Sequence, residues 1–340
     1  MTQSNSYKTA LWQQDLIEAI TDPKELLELL EIDLELLPAA IAATKLFPLK
    51  VPRGFLSRIK KNDLNDPLLK QILPLGAELE EVFGYEKDPL KESSVNPIPG
   101  LLHKYSGRVL LTLVGTCAIN CRYCFRRHFP YEKNNPGTAG WDRALEYIAA
   151  DPSITEVILS GGDPLVVSDS LLQTFSEKLA HIRHVKRLRI HSRLPIVLPT
   201  RITEEFTQWI ATVPFKTILV VHANHPHEIS TEVKKALQTL SKVGITLLNQ
   251  TVLLKDVNDN AETLVQLSEA LFDAGVQPYY LHVLDKVQGT AHFDLSHEAA
   301  EQLHWEMSQQ ISGFLVPKLV CEQPGAPAKL PLLRREFYTG

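Results

Sequence analysis

From Arg108 to His282 the chain repeats one unit: a short aliphatic or β-branched run, followed by an amphipathic stretch at helical spacing. Strands separated by helices lie parallel, because the crossover carries the chain back to the same end of the sheet. The expected strands are Arg108 to Val114, Thr155 to Ser160, Arg187 to Ile190, Thr217 to Val221, Ile245 to Leu254 and Val276 to His282. The expected helices are Asp142 to Ala149, Ser170 to His181, Thr203 to Ala211, Thr231 to Val243 and Asn260 to Ala274. Six units without a clear seventh and eighth predict an α/β fold, a partial (β/α)6 TIM-like barrel that stays open. A helix, Glu298 to Ser312, and an apolar strand, Phe314 to Val320, end the pattern.

Ahead of the repeat the periodicity is helical. Apolar residues from Asp15 to Leu46, punctuated by Pro23 and Pro38, predict short helices, and a second helical patch runs from Pro67 to Phe83. The polar, Pro-rich stretch Glu86 to Pro99 reads as a connector. Three regions are expected: an N-terminal helical region (1–100), the partial barrel (101–295) and a C-terminal helix and strand segment (296–340).

Parallel α/β folds gather chemistry at the carboxyl ends of their strands. Polar clusters recur at that end: Cys117 after the first strand, Gly161-Gly162-Asp163-Pro164 after the second, Ser192-Arg193 after the third. His222-Ala223-Asn224-His225-Pro226 follows the fourth, Asn249-Gln250 lies within the fifth and Asp285 follows the sixth. Any one of these is an ordinary loop. Recurrence at the same end of strand after strand points to an active site in the barrel mouth.

With 340 residues, 44% of them hydrophobic, the chain can bury a substantial core. A formal net charge of -5 argues against a nucleic-acid binder and leaves a small acidic or zwitterionic substrate open. The sequence shows neither a signal segment nor an apolar run that would cross a bilayer, so a cytoplasmic protein without membrane partners is expected. In a reducing compartment its four cysteines are ligands or core residues rather than disulfides.

Cys117-x-x-x-Cys121-x-x-Cys124 puts three thiolates in one loop. A cubane iron-sulfur cluster takes four ligands, so three cysteines leave one iron open, and an open iron can chelate the amino and carboxylate groups of S-adenosylmethionine. The alternatives are a structural zinc site, which would need a fourth ligand such as His128, and incidental core cysteines.

The spacing C-x-x-x-C-x-x-C, with Tyr123 before the last cysteine and directly after a first barrel strand, resembles the radical S-adenosylmethionine superfamily. Gly161-Gly162-Asp163 resembles that superfamily's Gly-Gly-Glu segment, with aspartate in place of glutamate. Over about residues 98–329 the resemblance narrows to the lysine 2,3-aminomutase family. It is carried by His103-Lys104-Tyr105-x-x-Arg108-Val109-Leu110, Cys121-Arg122-Tyr123-Cys124-Phe125-Arg126-Arg127, Ser192-Arg193-Leu194-Pro195, His222-Ala223-Asn224-His225-Pro226 and Asn249-Gln250-Thr251. The compact length resembles the bacterial branch that makes (R)-β-lysine for modification of elongation factor P.

The resemblance implies a [4Fe-4S] cluster on Cys117, Cys121 and Cys124, with S-adenosylmethionine held against Gly161, Gly162 and Asp163. It also implies pyridoxal 5'-phosphate on Lys329, at the end of Glu322-Gln323-Pro324-Gly325-Ala326-Pro327-Ala328-Lys329, with Lys104, Tyr105 and Arg108 on the phosphate side. From residue type alone, Lys329 is a surface cation, and Lys104, Tyr105 and Arg108 form a solvated strand end. For the substrate, the resemblance implies that Arg126 meets the carboxylate and that Asp285 and Glu322 meet the ε-ammonium of lysine. Glutamate stands at position 322 where the family usually has aspartate. A buried ammonium needs such partners, whereas a second substrate carboxylate would be repelled by them, which favours lysine over glutamate.

Turnover would need a reductant such as flavodoxin or ferredoxin. Longer family members carry extra cysteines for an intersubunit zinc. None follow Lys329 here, so a zinc-stapled dimer is not expected, and Cys321 reads as a small buried residue. Two other readings stay open: a radical aminomutase acting on another amino acid, and an iron-sulfur carrier without turnover.

Overall fold

The computed structural model describes residues 10–134 and 137–332, so the outer ends of the expected first and third regions lie outside the described residues. Among the described residues nine strands form one sheet in sequential order. They are β1 (Leu101–Tyr105), β2 (Arg108–Val114), β3 (Glu156–Gly161), β4 (Arg187–Ser192), β5 (Lys216–Val221), β6 (Thr246–Val252), β7 (Gln277–His282), β8 (Lys318–Cys321) and β9 (Leu330–Pro331).

β2 through β8 run parallel, whereas β1 and β9 are added antiparallel at the two ends. The crossover helices are Gly137–Ala150, Asp169–Ala180, Glu204–Thr212, Thr231–Lys242, Ala261–Asp273 and His297–Ser308. Six βα units followed by a seventh parallel strand make the expected partial barrel, with β1 and β9 as the edges of an open sheet.

Residues alternate across the strands, and the alternation explains the cavity. On β4, Leu188 and Ile190 are fully buried, while Arg189 and His191 point the other way and line a cavity. Each fully buried Leu or Ile of this kind contributes on the order of 1.5–3 kcal/mol. The inner faces of β6 and β7 likewise carry Gln250, Tyr280 and His282 toward the cavity. A barrel interior filled with such polar groups has room and hydrogen-bonding capacity for ligands, in place of a packed apolar centre.

Three details differ from expectation. β1 was not foreseen as a strand; it is half of a hairpin whose two-residue loop, Ser106-Gly107, joins Tyr105 to its partner Arg108, with Gly107 at φ 76°. Of the patch from Pro67 to Phe83 only Pro67–Lys70 is α-helical. Pro74 interrupts it, since proline lacks the N–H that continues a helix, and Gly76–Leu79 then winds as a 3-10 turn. Of the strand expected from Phe314 to Val320, only Lys318–Cys321 extends, because Gly313–Leu315 turns and Pro317 cannot donate to a ladder.

The N-terminal segment packs against the sheet end. Helices Leu11–Ile17, Pro23–Leu29 and Leu37–Leu46 precede it. The Arg58 Nη1 donates to the carbonyls of Ile196 and Glu228, each at 2.9 Å, tying this segment to the loops after β4 and β5. Trp12, Leu26, Leu27 and Phe55 share one apolar cluster with the barrel strands.

Candidate active site

The loop after β2 is fixed by groups distant in sequence. Arg122 N donates to Gln71 O at 2.9 Å, and Asn120 N to Lys50 O at 3.0 Å. Within the loop, Arg122 reaches Glu78 through Nε at 2.8 Å and Nη2 at 2.5 Å, and Arg127 Nη2 meets the same carboxylate at 2.6 Å. All three side chains are buried. Glu78 thus neutralises two guanidiniums of the cysteine loop, a role invisible in the sequence, where it lay in an expected helix.

Cys117, Cys121 and Cys124 line one cavity. Burial and the neighbouring thiols push the Cys117 thiol well up, and the same causes push Cys124 up to about 11. Such thiols become ligands when a metal centre supplies the missing positive charge. Among the described residues no three His, Cys, Asp or Glu groups are spaced to share one metal ion. Three thiols around one space suit a multi-iron cluster, in which each thiolate takes its own iron. His128, the fourth ligand a zinc would need, bonds Gln288 O at 3.1 Å.

The turn after β3 packs directly under this loop. Gly161 has φ +113°, and a Cβ on Gly162 would fall 2.3 Å from Thr116 O, so the close approach of the Thr116 backbone just before Cys117 requires glycine. The Asp163 carboxylate accepts from Ser192 Oγ (2.7 Å), Arg193 N (2.8 Å), Leu194 N (3.0 Å) and Leu165 N (3.0 Å). Its side chain therefore laces the β3 end to the β4 end.

Arg193 lies across the cysteine loop, with Nη1 2.6 Å from Cys121 Sγ and Nη2 donating to Gln71 at 2.7 Å and Glu228 at 2.8 Å. Asn224 Nδ2 donates to Tyr123 Oη at 2.6 Å and to Gln71 Oε1 at 3.0 Å. Asn249 instead braces the backbone of Ala223, while Gln250 faces inward and meets His222 at 2.9 Å. Gln71 and Glu228 are, like Glu78, residues that the sequence reading did not single out.

At the other side of the cavity, Glu322 stands between two lysines. Lys104 Nζ is 2.5 Å from Oε1 and Lys329 Nζ is 2.5 Å from Oε2, and Tyr105 Oη donates to Oε1 at 3.1 Å. Burial opposes ionisation of Glu322, but the two ammonium groups more than offset it and hold its carboxyl well below the usual range. Asp285 has the reverse balance: burial, reinforced by Glu322, pushes it up to about 7. Arg108 stacks over the Tyr105 ring at 4.6 Å. Arg126 is engaged bidentately by Glu92.

The structure therefore brings the cysteines, Gly161, Gly162, Asp163, Lys104, Tyr105, Arg108, Arg126, Asp285, Glu322 and Lys329 around one cavity of about 460 Å³. Several buried polar atoms on its wall lack a partner: Arg189 Nε, His191 Nε2, Arg193 Nε and His282 Nε2. An unsatisfied buried donor is costly, and such a wall fits large polar ligands.

A family described as a 4Fe-4S single cluster domain matches residues 106–191, the span that holds all three loop cysteines. The L-lysine 2,3-aminomutase of Escherichia coli (strain K12) is 53% identical over 322 residues, 94% of each chain. This chain belongs to the lysine 2,3-aminomutase family. Its relative of the same name in Haemophilus influenzae is 48% identical over 94% of each chain, and that of Clostridium subterminale is 36% identical over 95% of this chain and 77% of its own. As a member of this radical S-adenosylmethionine family the chain is an isomerase, and Cys117, Cys121 and Cys124 lie within the span that matches the 4Fe-4S family. Among the described residues no helix is long and apolar enough to cross a membrane.

Proposed function

We propose that this chain converts L-lysine to (R)-β-lysine with pyridoxal 5'-phosphate carried on Lys329, and that the product serves the modification of elongation factor P in the cytoplasm. The observation that carries the reading is the acidic end of the cavity. There Asp285 and Glu322 stand beside Lys329, with Arg126 on the same cavity wall. A zwitterion with a distal ammonium matches that arrangement: a guanidinium for the carboxylate, carboxylates for the ammonium. The relatives that match most of both chains are named for lysine.

When bound, S-adenosylmethionine on the cluster supplies the hydrogen-abstracting radical, and pyridoxal phosphate delocalises the unpaired electron of the substrate. The protein's own groups hold and shield. Cys117, Cys121 and Cys124 hold the iron, with Asp163 fixing the turn beneath them. Glu322 orients Lys329 Nζ through its Oε2. Lys104, Tyr105 and Arg108 offer donors at the same end for a phosphate, and the partnerless Arg189 Nε adds another. Asp285 receives the ammonium of the substrate, whose charge favours the ionised carboxylate. The strands and the helices outside them exclude water from the radical. The electron comes from a carrier such as flavodoxin or ferredoxin.

The elongation factor role rests on the resemblance to the bacterial branch that makes (R)-β-lysine for that modification. An anaerobic assay of the reconstituted enzyme with L-lysine, with L-glutamate and with lysyl-modified elongation factor P, read by mass and chiral chromatography, tests the reading. β-Lysine from free lysine alone is expected. Turnover of glutamate, or of only the protein-attached lysine, rejects it.

A further inference from the structure

Arg126 is held on one edge of its fork. Its Nε donates to Glu92 Oε2 at 2.8 Å and its Nη2 to Glu92 Oε1 at 2.6 Å, while Nη1 donates to Ser160 Oγ at 3.2 Å. The guanidinium also lies over the rings of Phe125 and Phe129, at 4.9 and 5.8 Å. Glu92 and Arg126 are both buried, and with Ser160 they line the main cavity. A guanidinium has five N–H donors. Glu92 and Ser160 take three of them, which leaves one on each Nη.

Glu92 itself is fixed from the chain ahead of the barrel. It opens the 3-10 turn Glu92–Val95, its backbone N–H donates to Asp88 Oδ1 at 3.0 Å, and Lys91 before it holds the left-handed conformation at φ 52°. Leu90 is buried beside it. The segment is built to deliver one carboxylate to one guanidinium. Burial opposes the charge on Arg126, and the facing Glu92 more than offsets that.

We propose that Glu92 is a positioning residue for the α-carboxylate of the substrate, holding Arg126 by its Nε–Nη2 edge so that the N–H groups left on Nη1 and Nη2 are offered to that carboxylate. The proposal rests on the reading of Arg126 given above. Without Glu92 the long side chain has several rotamers and no partner on that edge. Glutamine is a poor substitute, because its amide nitrogen sets a donor against the guanidinium donors. The competing account is that Glu92 only neutralises a buried cation and anchors the connector.

The test is equilibrium binding by anaerobic calorimetry to the cluster- and pyridoxal-loaded enzyme without S-adenosylmethionine, so that no turnover occurs. Two ligands are compared: L-lysine, and 1,5-diaminopentane, which has the same chain and ammonium but no carboxylate. In Glu92→Gln the Kd for lysine should rise about tenfold or more, the loss of one or two charge-assisted bonds, while that for the diamine changes by less than about twofold. Glu92→Asp, which keeps the charge one methylene back, should fall between and covers the case in which Glu92→Gln does not fold. Equal weakening for both ligands, or an unchanged Kd for lysine, overturns the proposal. Arg126→Gln separates the two layers: if it leaves the lysine-to-diamine ratio intact, the reading of Arg126 falls and takes the proposal with it. If only the Glu92 variants leave the ratio intact, the proposal alone fails.

Discussion

Arg193 sets its Nη1 2.6 Å from Cys121 Sγ while its Nη2 holds the buried Glu228 at 2.8 Å. One guanidinium thus links a thiol of the cysteine loop to the loop after β5, with Arg193 and Glu228 both buried. Breaking a buried pair by removing one partner costs about 3–5 kcal/mol, because the other charge is left uncompensated. Arg193→Gln should therefore lower the Tm of the reconstituted protein, measured by anaerobic thermal unfolding. A Tm equal to that of the parent would mean that Glu228 finds another partner.

Replacing any one of Cys117, Cys121 and Cys124 by alanine should abolish turnover and 5'-deoxyadenosine formation, since a cluster with an open iron cannot also spare a protein ligand. Iron content and the low-temperature electron paramagnetic resonance spectrum are the direct readouts. A normal spectrum in any of the three variants would remove that cysteine from the ligand set.

Lys329→Ala should leave iron content unchanged and remove the borohydride-reducible linkage to pyridoxal phosphate. Glu322 loses one of its two lysines in this variant but keeps Lys104 at 2.5 Å. If the linkage survives, another lysine carries the pyridoxal.

Asp285 gives a pH dependence with a definite sign. Its carboxyl, pushed up to about 7 by burial and Glu322, is largely neutral below that pH and charged above it. Lysine binding should therefore strengthen as pH rises through about 7, and Asp285→Asn should flatten that limb. The variant should also reduce kcat/KM for lysine by roughly thirtyfold or more, the cost of about 2 kcal/mol for an unpaired buried charge. A fully loaded variant with unchanged kcat/KM would place the ammonium elsewhere.

Gly162→Ala tests the packing beneath the cluster. A Cβ 2.3 Å from Thr116 O forces the cysteine loop to shift, so iron incorporation should drop while the far-ultraviolet circular dichroism stays that of the parent. Full iron loading would show that the loop can yield.

The βα repeat and the polar strand ends were legible because both are local patterns: aliphatic runs of strand length, and polar residues just past them. What escaped the sequence depends on pairing across distance. Glu78 meets Arg122 from 44 residues away and Gln71 meets Glu228 from 157, and neither partner has a local signature. β9 has two residues, too few to carry a period, and exists because Cys321 and Leu330 pair across the Lys329 loop. β1 did carry a signal, the Ser106-Gly107 turn between Tyr105 and Arg108, but its polar end resembles a ligand-binding loop as much as a strand.

Lys104 stands on the first strand of the sheet and Lys329 directly before the last, and both close on Glu322. The three cysteines, with Gln71, Glu78, Asp163, Arg193 and Glu228, are by contrast all encoded before Ile229. A chain emerging from the ribosome therefore has the groups proposed to bind iron about a hundred residues before it has Lys329. Its proposed pyridoxal end comes together only once Lys329 has been made. On the proposed assignment maturation has a direction, the cysteines being in place before the lysine that would carry the vitamin-derived cofactor.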